Sequence, residues 1–563
     1  MVSDWLICCL LGVMVGQAPV QDPPSGSGLE ETAPKENAVE ASGATDGPTR
    51  PDWWNKVPRP AAFPKVGFFS VPPTKGPGYY TLSDLLSGTN RDNLPPSPWP
   101  AIGLLPPSFF DLDYRKVDPP GEDRTFPVLD EMKRIPLGDH WMLSTGGDIR
   151  YRHMNENNSR LKPIVNDYDL FRARVFTDFW CHDDFRLYGE FITAEIWNND
   201  LPPVLPDKDP ADFLNLFAEM KLLEYDSAPA VVRFGRQELL FGSQRLISTL
   251  DWANTRRTFQ GARLLHDGEK DKVDAFWVQP VIPDPQGWSW AETSCNFTGF
   301  WWTRKIDKDN SADFYALWYS NDKLFVEQGG TPLVRGNFVT LGSRTSGNNN
   351  GWLHDAEAAI QMGTIYNDKP LTAGMATVGL GRNFTSLPTG PTGWIYYDYA
   401  SGSRTFREGP NNTFQQLFPF SHHYLGWTDL VGRQNIQSVS QVMYFYPTKS
   451  ITLWVQHYNF WLASAGDALY FASGQPGRLS RTGSLASAGD ALYFASGQPG
   501  RLSRTGSAGY YVGDEWDLIV NFHLGPRTDV LTGYCTLNGG DFLQNTGKVS
   551  DSSVGFVQIL FKY

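Results

Sequence analysis

Long apolar runs are nearly absent from this 563-residue sequence, and the one that is present, Trp5–Val15, lies at its N-terminus. Without an internal run of about 18 apolar residues, the chain has no candidate transmembrane helix. Cysteine is also scarce, because two of the five cysteines lie in that N-terminal run and the other three are too far apart for a disulfide framework or a CxxC metal site. The HExxH, GxSxG, Walker and GxGxxG motifs are missing as well, so neither an enzyme nor a cofactor is predicted.

What the sequence does contain is aromatic residues and glycine. Aromatic residues, among them 20 tryptophans, make up 14% of the chain, and there are 54 glycines. The hydrophobic residues, 41% of the total, are spread thinly along the sequence. This composition fits a β-rich chain, including a membrane β-barrel, whose strands leave little hydropathy signal. The net charge of -13 is acidic, and no nucleic-acid partner is expected.

Three segments precede the first predicted strand. Residues 1–18 are predicted to be a secretory signal peptide, although Asp4 replaces the usual basic residue and Pro19 follows the predicted cut. Residues 19–62 are rich in Pro, Gly, Ser and Glu and are predicted to be a disordered tether. Residues 63–140 mix aromatic residues with prolines and are predicted to be an irregular periplasmic segment of unassigned role.

Residues 141–563 alternate like β-strands. In "GGDIRYRH", Arg150 and Arg152 share one face while Ile149 and Tyr151 share the other, and "LFRARVFTDF", "FRLYGEFI" and "LNLFAEMKL" repeat this pattern. A soluble sandwich would alternate too, but the connections here are short and long in turn, which is typical of outer-membrane barrels. We therefore predict an all-β transmembrane antiparallel barrel of about 18 strands, with 16 as the alternative. The connection near "YNDKPLTAG" breaks the rule, since it is short where a long one is expected.

Two further features concern the end of the chain. "SVGFVQILFKY" alternates and ends on an aromatic residue, as suits a closing strand at the aromatic girdle. A 23-residue segment, 462–484, is repeated identically as 485–507. An insertion of odd length inside a strand would exchange its lipid and lumen faces, so the repeat is predicted to lie in a loop.

The sequence resembles the alginate-export family of outer-membrane barrels. The resemblance rests on "STGGDIRYRH", "LFRARVFTDF", "DLVGRQNI", "VGDEWDL" and above all "RFGRQELLFGSQRLISTLDWANTRRTFQGARL", and it covers 141–563. It implies a monomeric 18-stranded barrel whose arginine-lined lumen passes an anionic uronate polysaccharide outward. The duplicated loop and the 140 residues before the barrel depart from the family pattern.

The candidate site residues are arginines on predicted lumen faces and polar residues of the "GRQ…DWANTRR" block. An anion could pair with each arginine through the planar guanidinium fork, but a lumen carboxylate could do the same simply to stiffen the barrel. The block is predicted to fold into the barrel as a constriction in which Asp251 fixes one or two arginines, or else to plug it without touching solute. The full set is Arg150, Arg152, Arg172, Arg174, Arg186, Arg233, Arg236, Arg245, Asp251, Trp252, Asn254, Arg256, Arg257 and Arg263.

The predicted function is therefore an outer-membrane channel for anionic saccharides or small anions, a class that includes an exported uronate polysaccharide. The alternatives are a general small-solute porin and a non-conducting structural or adhesive barrel. The expected partners are the solute, the outer-membrane bilayer and periplasmic secretion proteins. The adjacent His422 and His423 have no third ligand at a suitable spacing, so no metal site is predicted.

Overall fold

The structure is a computed structural model that describes residues 77–92, 108–112, 114, 129, 131–328, 331–366, 368–405, 409–473, 476–479, 508–525 and 527–563. The predicted signal peptide (1–18), the predicted tether (19–62) and the second copy of the repeat (485–507) lie outside the described residues. The described part of the first copy follows the strand that ends at Leu462, in a connection that leads to Tyr511.

Eighteen long antiparallel strands pair in chain order, and the last pairs with the first, so the sheet closes into a barrel. Two further short strands, Ile135–Leu137 and Trp290–Ala291, bring the sheet to 20 strands but take no part in its closure. The predicted transmembrane barrel is confirmed, with the larger of the two predicted strand numbers. The strands are β1 Trp141–Asn157, β2 Val165–Cys181, β3 Phe185–Trp197, β4 Asp209–Tyr225, β5 Ala228–Gln237, β6 Phe259–Asp267, β7 Asp271–Ile282, β8 Cys295–Lys305, β9 Asn310–Gln328, β10 Thr331–Asn349, β11 Trp352–Ile365, β12 Lys369–Asn383, β13 Thr392–Ala400, β14 Ile436–Thr448, β15 Ile451–Leu462, β16 Tyr511–Gly525, β17 Thr528–Gly539 and β18 Ser552–Lys562.

Alternation along each strand separates an apolar outer face from a charged inner one. In β1, Ile149 and Tyr151 are 42% and 41% exposed, whereas Arg150 and Arg152 between them are each 2% exposed. Successive side chains of a strand point to opposite sides of the sheet, so the exposed apolar residues form the outer band and the buried arginines face the lumen.

The two ends of the barrel differ in the length of their connections. One end has tight turns such as Asp226–Ser227 and Asn350–Gly351, in which both residues have positive φ, as a two-residue hairpin turn requires. The other end carries long connections, among them 238–258, 401–435 and 463–510. Short turns mark the periplasmic end of outer-membrane barrels. The irregularity expected near "YNDKPLTAG" is present, because only residues 366–368 separate β11 from β12 at the long-loop end.

The lumen is filled in large part by two of the long loops. The 238–258 loop buries Leu239, Phe241 and Ile247, and the 401–435 loop buries Phe418 and Leu425, all inside the barrel wall. Backbone hydrogen bonds join the two loops, since Ile247 and Phe418 form a parallel bridge. The hydrophobic core of this protein is therefore the inside of the barrel.

Outside the barrel sheet, the described residues form a two-stranded hairpin, Ala468–Tyr470 with Pro476–Leu479, and short helices. Helix α1, Leu82–Ser87, begins at Thr81, whose hydroxyl accepts a hydrogen bond from the Asp84 amide. A 3-10 turn, Phe109–Asp111, follows, and helix α2, Asp541–Thr546, lies in the last long connection. None of the helices in the described ranges is both long and apolar enough to cross a membrane.

Candidate functional site: the arginine-lined lumen

Seven of the predicted arginines lie on the inner faces of strands near the N-terminal part of the barrel. Each is at most 8% exposed, and each alternates with outward apolar residues. They are Arg150 and Arg152 of β1, Arg172 and Arg174 of β2, Arg186 of β3, Arg233 of β5 and Arg263 of β6.

Five of these seven arginines form salt bridges with carboxylates of the barrel wall. The pairs are Arg172–Asp148 (3.7 Å), Arg174–Asp148 (2.5 Å), Arg174–Glu190 (3.1 Å), Arg186–Asp178 (2.7 Å), Arg186–Glu219 (3.2 Å), Arg233–Glu219 (2.5 Å) and Arg263–Asp274 (2.6 Å). Breaking a buried pair from one side costs about 3–5 kcal/mol. These arginines therefore connect neighbouring strands, and carboxylates of the wall already neutralise their charge.

Asp251 ties the 238–258 loop to the wall. Its carboxylate contacts Arg256 of the same loop and lies 3.0 Å from Arg172 Nη2 of β2. Burial alone would raise the pKa of Asp251, but Arg172, Arg256 and Arg150 outweigh it and hold the pKa well below its usual range. Asp251 therefore remains ionised, and Arg256 has a second carboxylate partner in Glu238.

The residues that follow Asp251 are held by backbone carbonyls. The side-chain nitrogen of Asn254 lies 2.9–3.0 Å from the carbonyl oxygens of Phe171, Glu195 and Asp207, which belong to two strands and a neighbouring loop. Trp252 lies in the same turn, with the Arg152 guanidinium 3.6 Å from its ring centroid. The loop is therefore fixed in the lumen at several points.

Two more arginines of this loop reach other parts of the barrel. Arg245 pairs with Asp355 (2.6 Å) and Glu357 (3.0 Å) on β11. Arg257 donates to the carbonyl oxygens of Ser248 (3.3 Å) and Pro419 (3.2 Å) and so connects the two inward loops. Both arginines hold the loops in place.

Arg236 is separate from this group. It lies near the end of β5, on the same strand face as Phe234, whose side chain is 57% exposed. Its guanidinium pairs with Asp212 at 2.7 Å and donates to the carbonyl of Ser289 at 2.9 Å. The sequence prediction grouped Arg236 with the loop because both lie in one block of sequence, but β5 continues through Gln237 and its alternation directs Arg236 away from the lumen.

The 401–435 loop supplies site residues that the sequence interpretation missed. The His422 ring stacks on Trp252 at 4.2 Å between centroids, and Trp427 meets Trp252 edge-on at 5.1 Å. Arg433 pairs with Asp398 inside the barrel. A signal was available in the sequence, because "FPFSHHYLGWTDLVGRQN" is too apolar and aromatic for a solvated loop and repeats the Gly-Arg-Gln triplet of β5.

The described residues line two cavities within the lumen. One has a volume of about 1830 Å³ and reaches long-loop residues such as Arg160 and Lys162. The other, of about 550 Å³, lies nearer the short-turn end, and its lining includes Arg150 of β1 and Leu560 of β18. Both volumes include open solvent space. The two cavities share three wall residues, Arg152, Trp252 and Trp427.

Arg150 and Arg152 differ from the paired arginines. Arg150 donates to the carbonyl oxygens of Asp251 and Ala253, both at 2.7 Å, and Arg152 donates to the Trp252 carbonyl at 2.8 Å and the Gln558 amide oxygen at 2.7 Å. Among the described residues, no carboxylate lies within 4.0 Å of either guanidinium. These two cavity-lining arginines therefore keep a net positive charge without a direct counter-ion.

The described ranges contain no group of three or more His, Cys, Asp or Glu side chains placed to hold a metal ion. The His422–His423 pair lies buried in the lumen between aromatic rings.

Comparison with known proteins gives one family and several barrels. A family model described as alginate export matches residues 141–556, from the start of β1 into β18. No curated protein matches the chain. Among solved structures, OpdO of Pseudomonas aeruginosa is 10% identical, with 74% of this chain and 97% of that chain covered and a TM-score of 0.46. The outer membrane protein OprD of the same organism is 11% identical, with 74% and 93% covered and a TM-score of 0.44.

Proposed function

Because the chain belongs to the alginate-export family of outer-membrane barrels, we propose that it is a channel that passes anionic saccharides, such as a uronate chain, through its lumen. That the protein is an outer-membrane channel for small solutes follows from the family and the closed barrel. The choice of an anionic solute is our own step. The observation that carries it is a pair of arginines without a carboxylate partner among the described residues: Arg150 lines the smaller cavity, and Arg152 lines both.

A carboxylated sugar meets a favourable environment at these two residues. A guanidinium presents parallel N–H donors that match a carboxylate, and it stays charged at every physiological pH. A low-dielectric wall strengthens the attraction, so an anion is drawn to this part of the lumen more than a neutral sugar is.

The paired arginines support passage in a different way. A channel must bind its solute weakly enough to release it. Since Arg174, Arg186, Arg233 and Arg263 are neutralised by carboxylates, they do not form a continuous ladder of strong anion sites. Arg150 and Arg152, which lack such a pairing, give selectivity with little trapping.

The test is reversal-potential measurement in a salt gradient across planar bilayers. We expect the double variant Arg150→Gln/Arg152→Gln to lose most of its preference for anions. The matched double variant Arg150→Lys/Arg152→Lys keeps both charges and should keep the preference. Equal anion preference in the wild type and the glutamine variant would refute the proposal.

A second measurement separates the saccharide channel from a general porin. Oligouronates should reduce the ionic current at concentrations at which neutral oligosaccharides of the same length do not. Equal block by both would favour a general small-solute porin. No current at any voltage, from the wild type or from variants with a wider lumen, would favour a non-conducting structural or adhesive barrel.

A further inference from the structure

Part of the chain that precedes the barrel lies inside it. We propose that the short-turn end of the lumen is a binding site for the chain's own plug segment, defined as Ser108–Leu112 and Tyr114, and that the channel conducts only when this segment leaves. The inference rests on the proposed channel function. It adds an occupant and a closed state that neither the family match nor the sequence predicted.

The plug segment is buried against an aromatic patch of the lumen. Phe109, Phe110 and Tyr114 are 2%, 4% and 1% exposed, although the sequence predicts only an irregular periplasmic segment for residues 63–140. The patch consists of Phe176 of β2, Tyr188 of β3 and Phe217 of β4, which form one buried cluster with the plug. Each occupies an inward position between buried polar or charged residues, so the patch interrupts the polar lining.

Ring contacts between the plug and the patch are specific. The Phe109 and Phe176 centroids are 5.3 Å apart, and the Tyr114 ring stacks on Phe176 at 5.4 Å with an interplanar angle of 13°. Phe110 meets the Phe217 ring edge-on at 5.3 Å and 90°. Both are preferred geometries for aromatic pairs.

Arginines of the wall close over the plug. Arg186 Nη2 donates a 2.8 Å hydrogen bond to the Phe110 carbonyl oxygen. The Arg233 guanidinium lies 4.5 Å from the Phe110 ring centroid, and the Arg174 guanidinium lies 4.1 Å from that of Phe109. Three wall arginines thus contact the plug, Arg186 through a hydrogen bond and the other two in cation–π geometry.

The plug enters from the end that carries the short turns. Arg186 follows the turn between β2 and β3, and further along the chain Lys133 Nζ donates to the carbonyl oxygen of the C-terminal residue Tyr563 at 2.8 Å. The plug is therefore joined through the chain to the start of β1 at the same mouth. Tethering gives it a high effective concentration at its site, so it returns readily after leaving.

The plug can leave the wall without breaking the hydrogen bonds of the barrel sheet. It forms a single 3-10 turn, Phe109–Asp111, and takes no place in the pairing of the eighteen barrel strands. Displacing it breaks side-chain contacts and leaves the strand ladder intact. A barrel of 16–18 strands otherwise leaves an aqueous channel, so a closure at this mouth would limit leakage.

The experiment compares single-channel currents of the full chain and of Phe109→Ala/Phe110→Ala. Loss of two buried aromatic side chains should raise the fraction of time spent open by at least about tenfold. The matched control is Tyr80→Ala, an aromatic of the same N-terminal region that packs on Lys449 at 4.9 Å and not on the patch. It should behave like the wild type. A milder variant, Phe110→Leu, keeps the apolar volume and should show an intermediate open fraction.

Peptide block provides an independent measurement. The peptide Ser-Phe-Phe-Asp-Leu-Asp-Tyr, added to the short-turn side, should close the alanine variant again, and a scrambled peptide should not. If the wild type and both plug variants conduct equally, or if the peptide has no effect on the alanine variant, the plug is refuted while the channel function stands. If no form conducts at all, the proposed channel function fails, and the plug proposal fails with it.

Discussion

Replacing Asp251 by asparagine tests the electrostatics of the lumen with little change in shape. The side chain loses its charge and keeps its size. The backbone carbonyl of residue 251 still accepts hydrogen bonds from Arg150 at 2.7 Å and from Arg172 at 3.2 Å, because those bonds do not involve the carboxylate. The variant therefore removes one negative charge from the wall of the smaller cavity.

The magnitude follows from Coulomb's law. An anion held by Arg150 would lie about 6 Å from the carboxylate, where a unit charge in a water-like medium contributes about 0.7 kcal/mol of repulsion. Removing this repulsion raises anion permeability about threefold, and a cation loses an attraction of similar size. The anion-to-cation permeability ratio should therefore rise by about threefold to tenfold. Because Arg172 and Arg256 hold the pKa of Asp251 well below its usual range, the wild-type charge persists at any ordinary recording pH.

Reversal potentials in a salt gradient measure this ratio directly. The control is Asp271→Asn, which removes a carboxylate that pairs with Arg304 at 2.6 Å near a short turn, where both side chains are partly exposed. The control should leave selectivity nearly unchanged, since exposed charges are screened within about 8 Å at physiological salt. An unchanged or lower anion preference in the Asp251 variant, with the barrel intact, would show that ions do not pass this carboxylate.

Three further outcomes are expected. Trp252→Ala removes a side chain shared by the walls of both cavities and should raise single-channel conductance; an unchanged conductance would mean that Trp252 does not narrow the path. Burial raises the pKa of Asp207, in the wall of the larger cavity, to about 6. Protonation removes its negative charge, so anion preference should increase as pH falls through about 6, and Asp207→Asn should abolish that pH dependence. A pH dependence that survives in the variant would assign the titration to another group. Arg245→Ala leaves Asp355 and Glu357 without their partner in the loop, at a cost of about 3–5 kcal/mol. A protease should then cut the 238–258 loop faster, while the heat-modifiable gel shift of the barrel stays the same. Equal cleavage rates in variant and wild type would contradict the role of Arg245 in holding the loop.

The barrel could be predicted from the sequence because apolar and charged residues alternate along each strand. A strand places successive side chains on opposite faces, so Ile149, Arg150, Tyr151 and Arg152 had only one arrangement that kept arginine away from lipid. The alternation of short and long connections then fixed which end is which. The sequence also predicted that the "DWANTRR" block folds inward, because its arginines, with Asp251, Trp252 and Asn254, would be poorly placed in a loop that extends into solvent.

Only the tertiary structure decided what those arginines contact. Arg245 pairs with Asp355, which lies 110 residues away in the sequence. The Phe418 carbonyl oxygen accepts a hydrogen bond from the amide of Ser248, which lies 170 residues away. No local pattern encodes such a pairing, because it depends on how a closed barrel brings distant strands and loops to one place. The plug segment shows the same limit, since no feature of "SFFDLDY" names its partner and its place in the lumen follows from an aromatic patch shared by three separate strands. The sequence determined which residues face inward, and the closed barrel decided which of them keep an unneutralised charge.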